Sequence, residues 1–215
     1  MKHLFLAIFF ILISGRQAYT QETKVDPPWE SPVSFVFTIS PTSLLICPNK
    51  TGFTVLAQNG AVEDDVIVGL SFNTPNIKAG IGFNSRIVQL DFLAGAGCLI
   101  SGTITGSFIT GDAYCRFRPS PVISIGVHAG LMNFTPQWDF FDLSYSEPDD
   151  VKFSKVNGLL IGPVMSFGKR TCFTFSLDYT TAITDVSTYN GYNADRNKLD
   201  LGGLMLNYGL LIRVP

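Results

Sequence analysis

The sequence predicts an all-β fold: an antiparallel up-and-down barrel of eight strands, or of ten if two N-terminal segments join it. Three observations carry this prediction. Large apolar and small or polar residues alternate through most of the chain after residue 64. Hydrophobic residues make up 46% of the chain and charged residues only 15%, against roughly 25% charged in an average soluble domain. Past residue 20 no unbroken apolar run reaches the length of about 18 residues that a membrane helix needs.

Together these observations predict a barrel that spans a membrane with strands. In such a barrel only every second residue meets lipid, so the apolar signal is diluted along the sequence. The main alternative is a secreted soluble β-sandwich, which also alternates. The residues opposite the apolar positions favour the barrel, because they are mostly glycine, serine and asparagine rather than the lysine, glutamate and threonine of a solvated sheet.

The first twenty residues have the pattern of a secretory signal peptide. Lys2 and His3 precede an apolar run over residues 4–13. Small residues then occupy the −3 and −1 positions of a cleavage site after Thr20. The alternative, a retained membrane anchor, requires a longer apolar run. We therefore expect residues 1–20 to direct export.

Residues 21–64 are predicted to be an N-terminal lead-in or to supply extra strands. The segment begins polar and rich in proline, then alternates over 33–39 and contains a shorter apolar run over 52–58. The barrel domain is predicted over 65–215.

Eight segments of that domain have one apolar face and one small or polar face, as a strand between two different environments requires. The clearest is 171–181, where Phe173, Phe175 and Leu177 alternate with polar residues. The predicted strands are 65–73, 77–84, 87–104, 109–118, 121–133, 156–167, 171–181 and 198–214.

The connections fit an up-and-down barrel. Tight turns are predicted at 73–76, 119–121 and 168–170, where proline, glycine and asparagine cluster. Two longer connections, 134–154 and 183–197, fall on the same side when strands are counted back from the C-terminus. Short turns on one side and long loops on the other are typical of outer-membrane barrels.

Charged residues fall on the predicted interior face. We expect them to pair across the lumen in a salt-bridge network that plugs it, because eight strands enclose little more space than side chains fill. A selectivity ring in an open pore is the alternative. These predicted lumen charges are Asp91, Asp112, Arg116, Arg118, Asp178, Asp200 and Arg213.

Aromatic residues near strand ends are predicted to form girdles at the membrane interfaces; they are Phe117, Phe134, Phe167, Tyr179 and Tyr208. The connection 134–154 combines further aromatic residues with five acids. It is predicted to be a solvated acidic loop, with ligand or receptor contact, or calcium binding, as alternatives. Its predicted contact residues are Trp138, Phe140, Phe141 and Tyr145.

No catalytic residue, cofactor or metal site is predicted. Ser124 and His128 share one face but lie about 13 Å apart along a strand, too far for a direct hydrogen bond. His128 is instead expected to make a hydrogen bond in the lumen. A lipid-modifying barrel enzyme is the remaining catalytic alternative. With a net charge of −2, the chain lacks the basic stripe of a nucleic-acid-binding protein.

The four cysteines match no zinc pattern. Cys115 and Cys172 are predicted on opposite faces, which argues against a disulfide between them. We expect cysteine to serve here as a small apolar side chain, although export would permit disulfides.

The pattern resembles the small porin-like outer-membrane β-barrel proteins of Gram-negative bacteria over residues 65–215. The resemblance rests on the signal peptide, on 116–119 leading through a tight turn into 124–127, and on a closing strand over 199–213. Members of that family usually end in an aromatic residue, whereas this chain ends Arg213-Val214-Pro215.

The resemblance implies an integral outer-membrane protein with a structural, surface-interaction or narrow-channel role and no shared catalytic residues. It also implies contact with outer-membrane lipid and with the barrel-assembly machinery. An extracellular ligand would bind through loops 134–154 and 183–197.

Overall fold

The computed structural model describes residues 31–46, 53–56, 62–66, 71–100, 104–138, 151–188, 193–194 and 197–215. The predicted signal peptide and three of the predicted loop contacts, Phe140, Phe141 and Tyr145, lie outside these residues. Within the described part of the chain, no helix is long and apolar enough to cross a membrane.

Eight long antiparallel strands form one sheet that closes on itself. With strands numbered in chain order, they are β1 (Val33–Ile46), β5 (Asn76–Asn84), β6 (Val88–Ile100), β7 (Ile104–Ser120), β8 (Ile123–Trp138), β10 (Val156–Gly168), β11 (Thr171–Thr181) and β15 (Gly203–Val214). Each strand pairs with its neighbour in this order, and β1 pairs with β15 to close the circle. The predicted eight-stranded antiparallel barrel is confirmed, and the soluble sandwich is excluded by the closure.

Among the described residues, seven shorter strands lie toward one end of the barrel: β2 (Phe53–Leu56), β3 (Val62–Val66), β4 (Ser71–Asn73), β9 (Val151–Phe153), β12 (Ile183–Thr188), β13 (Asn193–Ala194) and β14 (Lys198–Asp200). Of these, β4 belongs to the barrel sheet itself, where it pairs with β1 and β6. In one small sheet β12 lies between β9 and β14, and in another β2 lies between β13 and β3. All belong to the long connections, which the structure places on one side. We call this side the loop end and the opposite side, with the short turns 85–87, 121–122 and 169–170, the turn end.

The barrel begins at Val33, within the segment 21–64 that was predicted to be either a lead-in or a source of extra strands. Strand β1 contains the alternating segment 33–39 and pairs with β5 and β15. The prediction of one barrel strand over 65–73 is wrong: β3 ends at Val66 and pairs with β2, whereas β4 begins at Ser71. Both 33–39 and 65–73 alternate, so alternation predicts a strand in each. The pairing with other strands decides that the first of these segments forms a barrel strand and that β3 pairs with β2 instead.

The tight turn predicted at 73–76 is also wrong. Strands β4 and β5 both pair with β1, so the chain continues in one direction through Thr74 and Pro75. The backbone N–H of Thr74 donates to the Ser43 carbonyl at 2.7 Å, and the Pro75 carbonyl accepts from the Cys98 N–H at 3.2 Å. Thr74 is thus bonded to β1 and Pro75 to β6, and these bonds keep the two residues extended within the barrel wall. Local sequence preference alone would favour a turn at this position.

The other two predicted turns are confirmed. Residues 121–122 join β7 to β8, and residues 169–170 join β10 to β11. Gly168 has a φ of 130°, a backbone conformation that residues with a Cβ atom rarely adopt. The glycine therefore allows β10 to reverse immediately into β11.

The outer face of the barrel is apolar on all eight strands. Leu131, Ile77 and Ile109 are each more than 60% exposed. The remaining five strands contribute Phe35, Phe92, Ile161, Phe173 and Leu204. An exposed apolar surface that runs around a whole molecule is stable in lipid rather than in water.

Candidate functional site in the barrel lumen

The lumen has two layers of paired charges and, toward the loop end, an apolar filling. The layer nearer the turn end contains Asp91 of β6, Arg116 of β7 and Arg213 of β15. Arg213 donates from Nη1 to Asp91 Oδ1 at 2.8 Å and from Nη2 to Asp91 Oδ2 at 2.7 Å. Arg116 donates to the same Oδ2. One buried carboxylate therefore joins two arginines from strands on different sides of the barrel.

Polar side chains complete this layer. Arg213 also donates to Asn84 Oδ1 at 3.0 Å and lies 3.5 Å from Gln89 Oε1. Asp91 and Arg116 are 0% and 1% exposed. Buried charges of this kind persist only when they are paired and hydrogen-bonded.

The second layer is centred on His128 of β8. Its Nε2 lies 2.7 Å from Asp112 Oδ1, and its Nδ1 lies 2.8 Å from Asp178 Oδ1. Both ring nitrogens face carboxylate oxygens, so the imidazole donates through both when the aspartates are ionised. His128 thereby ties β7, β8 and β11 together across the lumen.

Three neighbours fix the carboxylates of this layer. Lys78 Nζ lies 3.0 Å from Asp112 Oδ2. Ser176 donates to Asp178 Oδ2 at 2.7 Å, and Asn207 donates to the same oxygen at 3.0 Å. With ionised carboxylates and a cationic imidazole, the charges on Lys78, His128, Asp112 and Asp178 balance.

Tyr114 connects the two layers. Its ring stacks on His128 with centroids 4.3 Å apart. The Arg116 guanidinium lies 4.6 Å from the centroid of the same ring, within the range of a cation–π interaction. Lys78 donates to the Tyr114 hydroxyl at 3.4 Å.

The loop-side half of the lumen is filled by apolar side chains. This part departs from the predicted polar interior. Phe134, predicted for a membrane girdle, is 1% exposed and packs here instead. The apolar cluster continues from the lumen into β12 and β14 beyond the barrel. It consists of Leu45, Leu99, Ile104, Phe108, Met132, Phe134, Val156, Leu160, Ala182, Val186, Leu199, Leu201 and Met205.

Six of the seven predicted lumen charges are buried in the barrel: the five aspartates and arginines of the two layers, together with Arg118. The seventh, Asp200, lies in β14 beyond the barrel, where it accepts the Gly202 N–H at 2.8 Å. The sequence list leaves out Lys78 and Tyr114. Both fall on the inner face of the predicted strands, and that position was the signal that could have included them.

One of the predicted loop contacts, Trp138, lies among the described residues. Trp138 ends β8, and its side chain is not described.

Unlike Phe134, the remaining predicted girdle aromatics are exposed on the outer face of the barrel; they are Phe117, Phe167, Tyr179 and Tyr208. Cys115 is also exposed there, whereas Cys172 is buried on the inside, as the opposite-face prediction states.

The lumen side chains that the structure describes do not form a hydrolytic triad. Ser176 bonds to Asp178 and not to His128, whereas nucleophilic catalysis needs the hydroxyl within reach of the base. Among the described residues, no group of three or more His, Cys, Asp or Glu side chains is arranged to hold a metal ion.

A closed sheet of eight antiparallel strands with an apolar outer face and buried interior charges defines a membrane-spanning β-barrel protein. This is the architecture of integral outer-membrane proteins. No protein-family model matches the chain, and no curated protein matches its sequence.

The chain is similar to several solved structures. The outer membrane protein OprG from Pseudomonas aeruginosa superposes with a TM-score of 0.51 at 10% identity, over 84% of this chain and 95% of OprG. The outer membrane protein AlkL gives a TM-score of 0.46 at 13% identity, over 90% and 95% of the two chains. Neisserial surface protein A gives 0.43 at 13% identity, over 86% and 97%. The similarity to OprG supports the fold.

Proposed function

We propose that this protein is an outer-membrane barrel with a filled lumen, acting as a structural or surface-interaction protein rather than as an open channel. The observation that carries the proposal is the cluster of Asp91, Arg116 and Arg213. Arg213 lines a cavity at the turn end and Arg116 lines another in the middle of the lumen. Asp91 binds both arginines, so the ion cluster separates the two cavities.

Neither cavity is large enough for a continuous water path. Each has a volume of about 20 Å³, which is room for about one water molecule. Toward the loop end, the apolar cluster around Phe134 and Leu160 follows. The paired charges support the plugging network over the selectivity ring.

An enzymatic role has less support. His128 is 1% exposed, and carboxylates occupy both of its ring nitrogens, which leaves no nitrogen to act as a general base on a lipid. We propose instead that His128 and the lumen charges are structural, with no cofactor.

The surface that remains for interaction is the loop end. The connections that follow β8 and β11 belong to it, with the predicted contacts Trp138, Phe140, Phe141 and Tyr145. We propose that an extracellular partner binds there and that the barrel-assembly machinery inserts the chain.

Planar-bilayer recording tests the filled lumen. We expect wild-type protein to produce no stepwise conductance under conditions in which a general porin, reconstituted in parallel, does. Reproducible single-channel conductance steps from folded wild-type protein would refute the filled lumen and would favour the narrow-channel role instead.

Labelling of intact cells tests the surface role. Asp185→Cys places a thiol at an exposed position of the loop end and Arg170→Cys places one at an exposed turn. We expect a membrane-impermeant maleimide to label the Asp185→Cys variant on intact cells and the Arg170→Cys variant only after the outer membrane is permeabilised. Wild type provides the background of the native cysteines. The reverse pattern would contradict the proposed orientation.

A further inference from the structure

The turn end of the barrel concentrates positive charge. The segments that form it are 31–34, 84–88, 118–123, 168–171 and 213–215. They contain five cationic residues and no aspartate or glutamate. The cationic residues are Arg86, Arg118, Lys169, Arg170 and Arg213.

Part of this charge lines one recess. Arg118, Lys169, Arg170 and Arg213 surround it together with neutral polar side chains. Arg118 and Arg213 are at most 9% exposed, whereas Lys169 and Arg170 are exposed on the turn above them. Asp91 supplies one negative charge to Arg213 and Arg116, so positive charges outnumber negative charges among the described residues of the turn end.

Exposed apolar residues next to these cations indicate how deep the cations lie in the membrane. Ile87 is 57% exposed and adjoins Arg86, and Phe167 is 45% exposed two residues before Lys169. Val122, in the turn between β7 and β8, is 44% exposed. The apolar outer face therefore continues to the turns, so the turns lie at the membrane boundary and their cations lie at the depth of lipid headgroups.

From this geometry we propose that the turn end binds the phosphate of anionic phospholipid headgroups in the adjoining leaflet. Lysine and arginine near a membrane surface attract anionic lipids, and arginine matches phosphate oxygens with paired donors. The recess itself has room for about one water molecule, so the phosphate lies across its mouth, against Lys169 and Arg170. This inference goes beyond the proposed function, because it holds whether or not the lumen conducts.

Native mass spectrometry of the folded protein with equimolar phosphatidylglycerol and phosphatidylcholine tests the proposal. We expect wild type to retain phosphatidylglycerol preferentially. The Lys169→Gln/Arg170→Gln variant should lose this preference by roughly fivefold for each cation removed. The matched control, Lys152→Gln/Lys155→Gln, removes two exposed cations from the loop end and should retain the wild-type preference.

Heat-modifiable migration on a gel establishes that each variant is folded before lipid retention is compared. Equal preference in wild type and in the Lys169→Gln/Arg170→Gln variant would overturn the proposal. So would an equal loss in the loop-end control, because the effect would then reflect total charge rather than this surface.

A second arm distinguishes lipid from free phosphate. Wild-type protein in phosphatidylcholine nanodiscs is titrated with millimolar inorganic phosphate by calorimetry, and the same phosphate is added to the phosphatidylglycerol competition. We expect no saturable binding and no displacement of lipid. Saturable phosphate binding that displaces phosphatidylglycerol would assign the surface to a soluble anion and overturn the lipid assignment.

Discussion

The two halves of the lumen are filled by different chemistry. Toward the turns, Asp91, Arg116 and Arg213 form an ion cluster beside the layer centred on His128. Toward the loops, thirteen buried apolar residues pack together. Both halves fill the same narrow barrel, but only the turn side depends on individual charge partners.

The difference predicts how each half responds to substitution. Packed apolar side chains lose stability in proportion to the volume removed. A charge network loses much more when one member leaves, because its buried partners keep their charge without compensation. The turn-side half is therefore specified residue by residue, and the loop-side half by total volume and shape.

The largest expected effect is that of Asp91→Ala. It leaves Arg116 and Arg213 buried without the carboxylate that both contact. We expect a loss of about 3–5 kcal/mol in the free energy of unfolding, measured by denaturant titration in lipid vesicles with tryptophan fluorescence. Asp185→Ala, at an exposed position of β12, is the control and should change stability by less than about 0.5 kcal/mol. A loss below about 1 kcal/mol for Asp91→Ala would remove the distinction between the halves.

A smaller effect is expected from Leu160→Ala in the apolar half. Leu160 is buried in the lumen, whereas its neighbour Leu159 is 49% exposed on the outer face. We expect Leu160→Ala to cost about 2–4 kcal/mol through the cavity it creates. Leu159→Ala should cost less than about 1 kcal/mol, since lipid tails replace the lost contacts. The same titration compares them, and equal losses would show that the lumen is not packed at Leu160.

The smallest effect is expected from Tyr114→Phe, between the charged layers. The substitution removes the long hydrogen bond from Lys78 and retains the ring that stacks on His128. We expect a loss of about 0.5–1 kcal/mol. Tyr114→Leu removes the stacking as well and should therefore lower the free energy of unfolding further. Equal losses in the two variants would show that the contact between the Tyr114 and His128 rings does not contribute to stability.

Alternation in the sequence predicted most of the barrel wall. Segment 171–181 matches β11 at both ends, and the outward and inward faces of β8 agree with prediction from Ile123 to Leu131. Sequence could not exclude the start of 65–73 from the barrel or place 33–39 in it, because both alternate. Which segment enters the barrel depends on its register with strands that are distant in sequence. The same long-range pairing keeps the chain extended at 73–76, where a turn was predicted.

The site was predictable in part. The alternation assigned Asp91, Asp112, Arg116, Asp178 and Arg213 to the interior, because strand period alone determines which face a residue occupies. Their pairing was not predictable. The contact between Arg213 and Asp91 spans 122 residues, and no local pattern relates the two positions.

The sequence by itself determined that this protein is a chain of strands with one apolar and one small or polar face, and thereby that it forms a membrane barrel. The tertiary structure decided which segment begins the barrel and that Phe134 points inward. It also decided that one histidine joins two aspartates across the lumen. The physical reason is that side-chain direction follows from a period of two residues, whereas partners across a closed sheet follow from the register of all eight strands together.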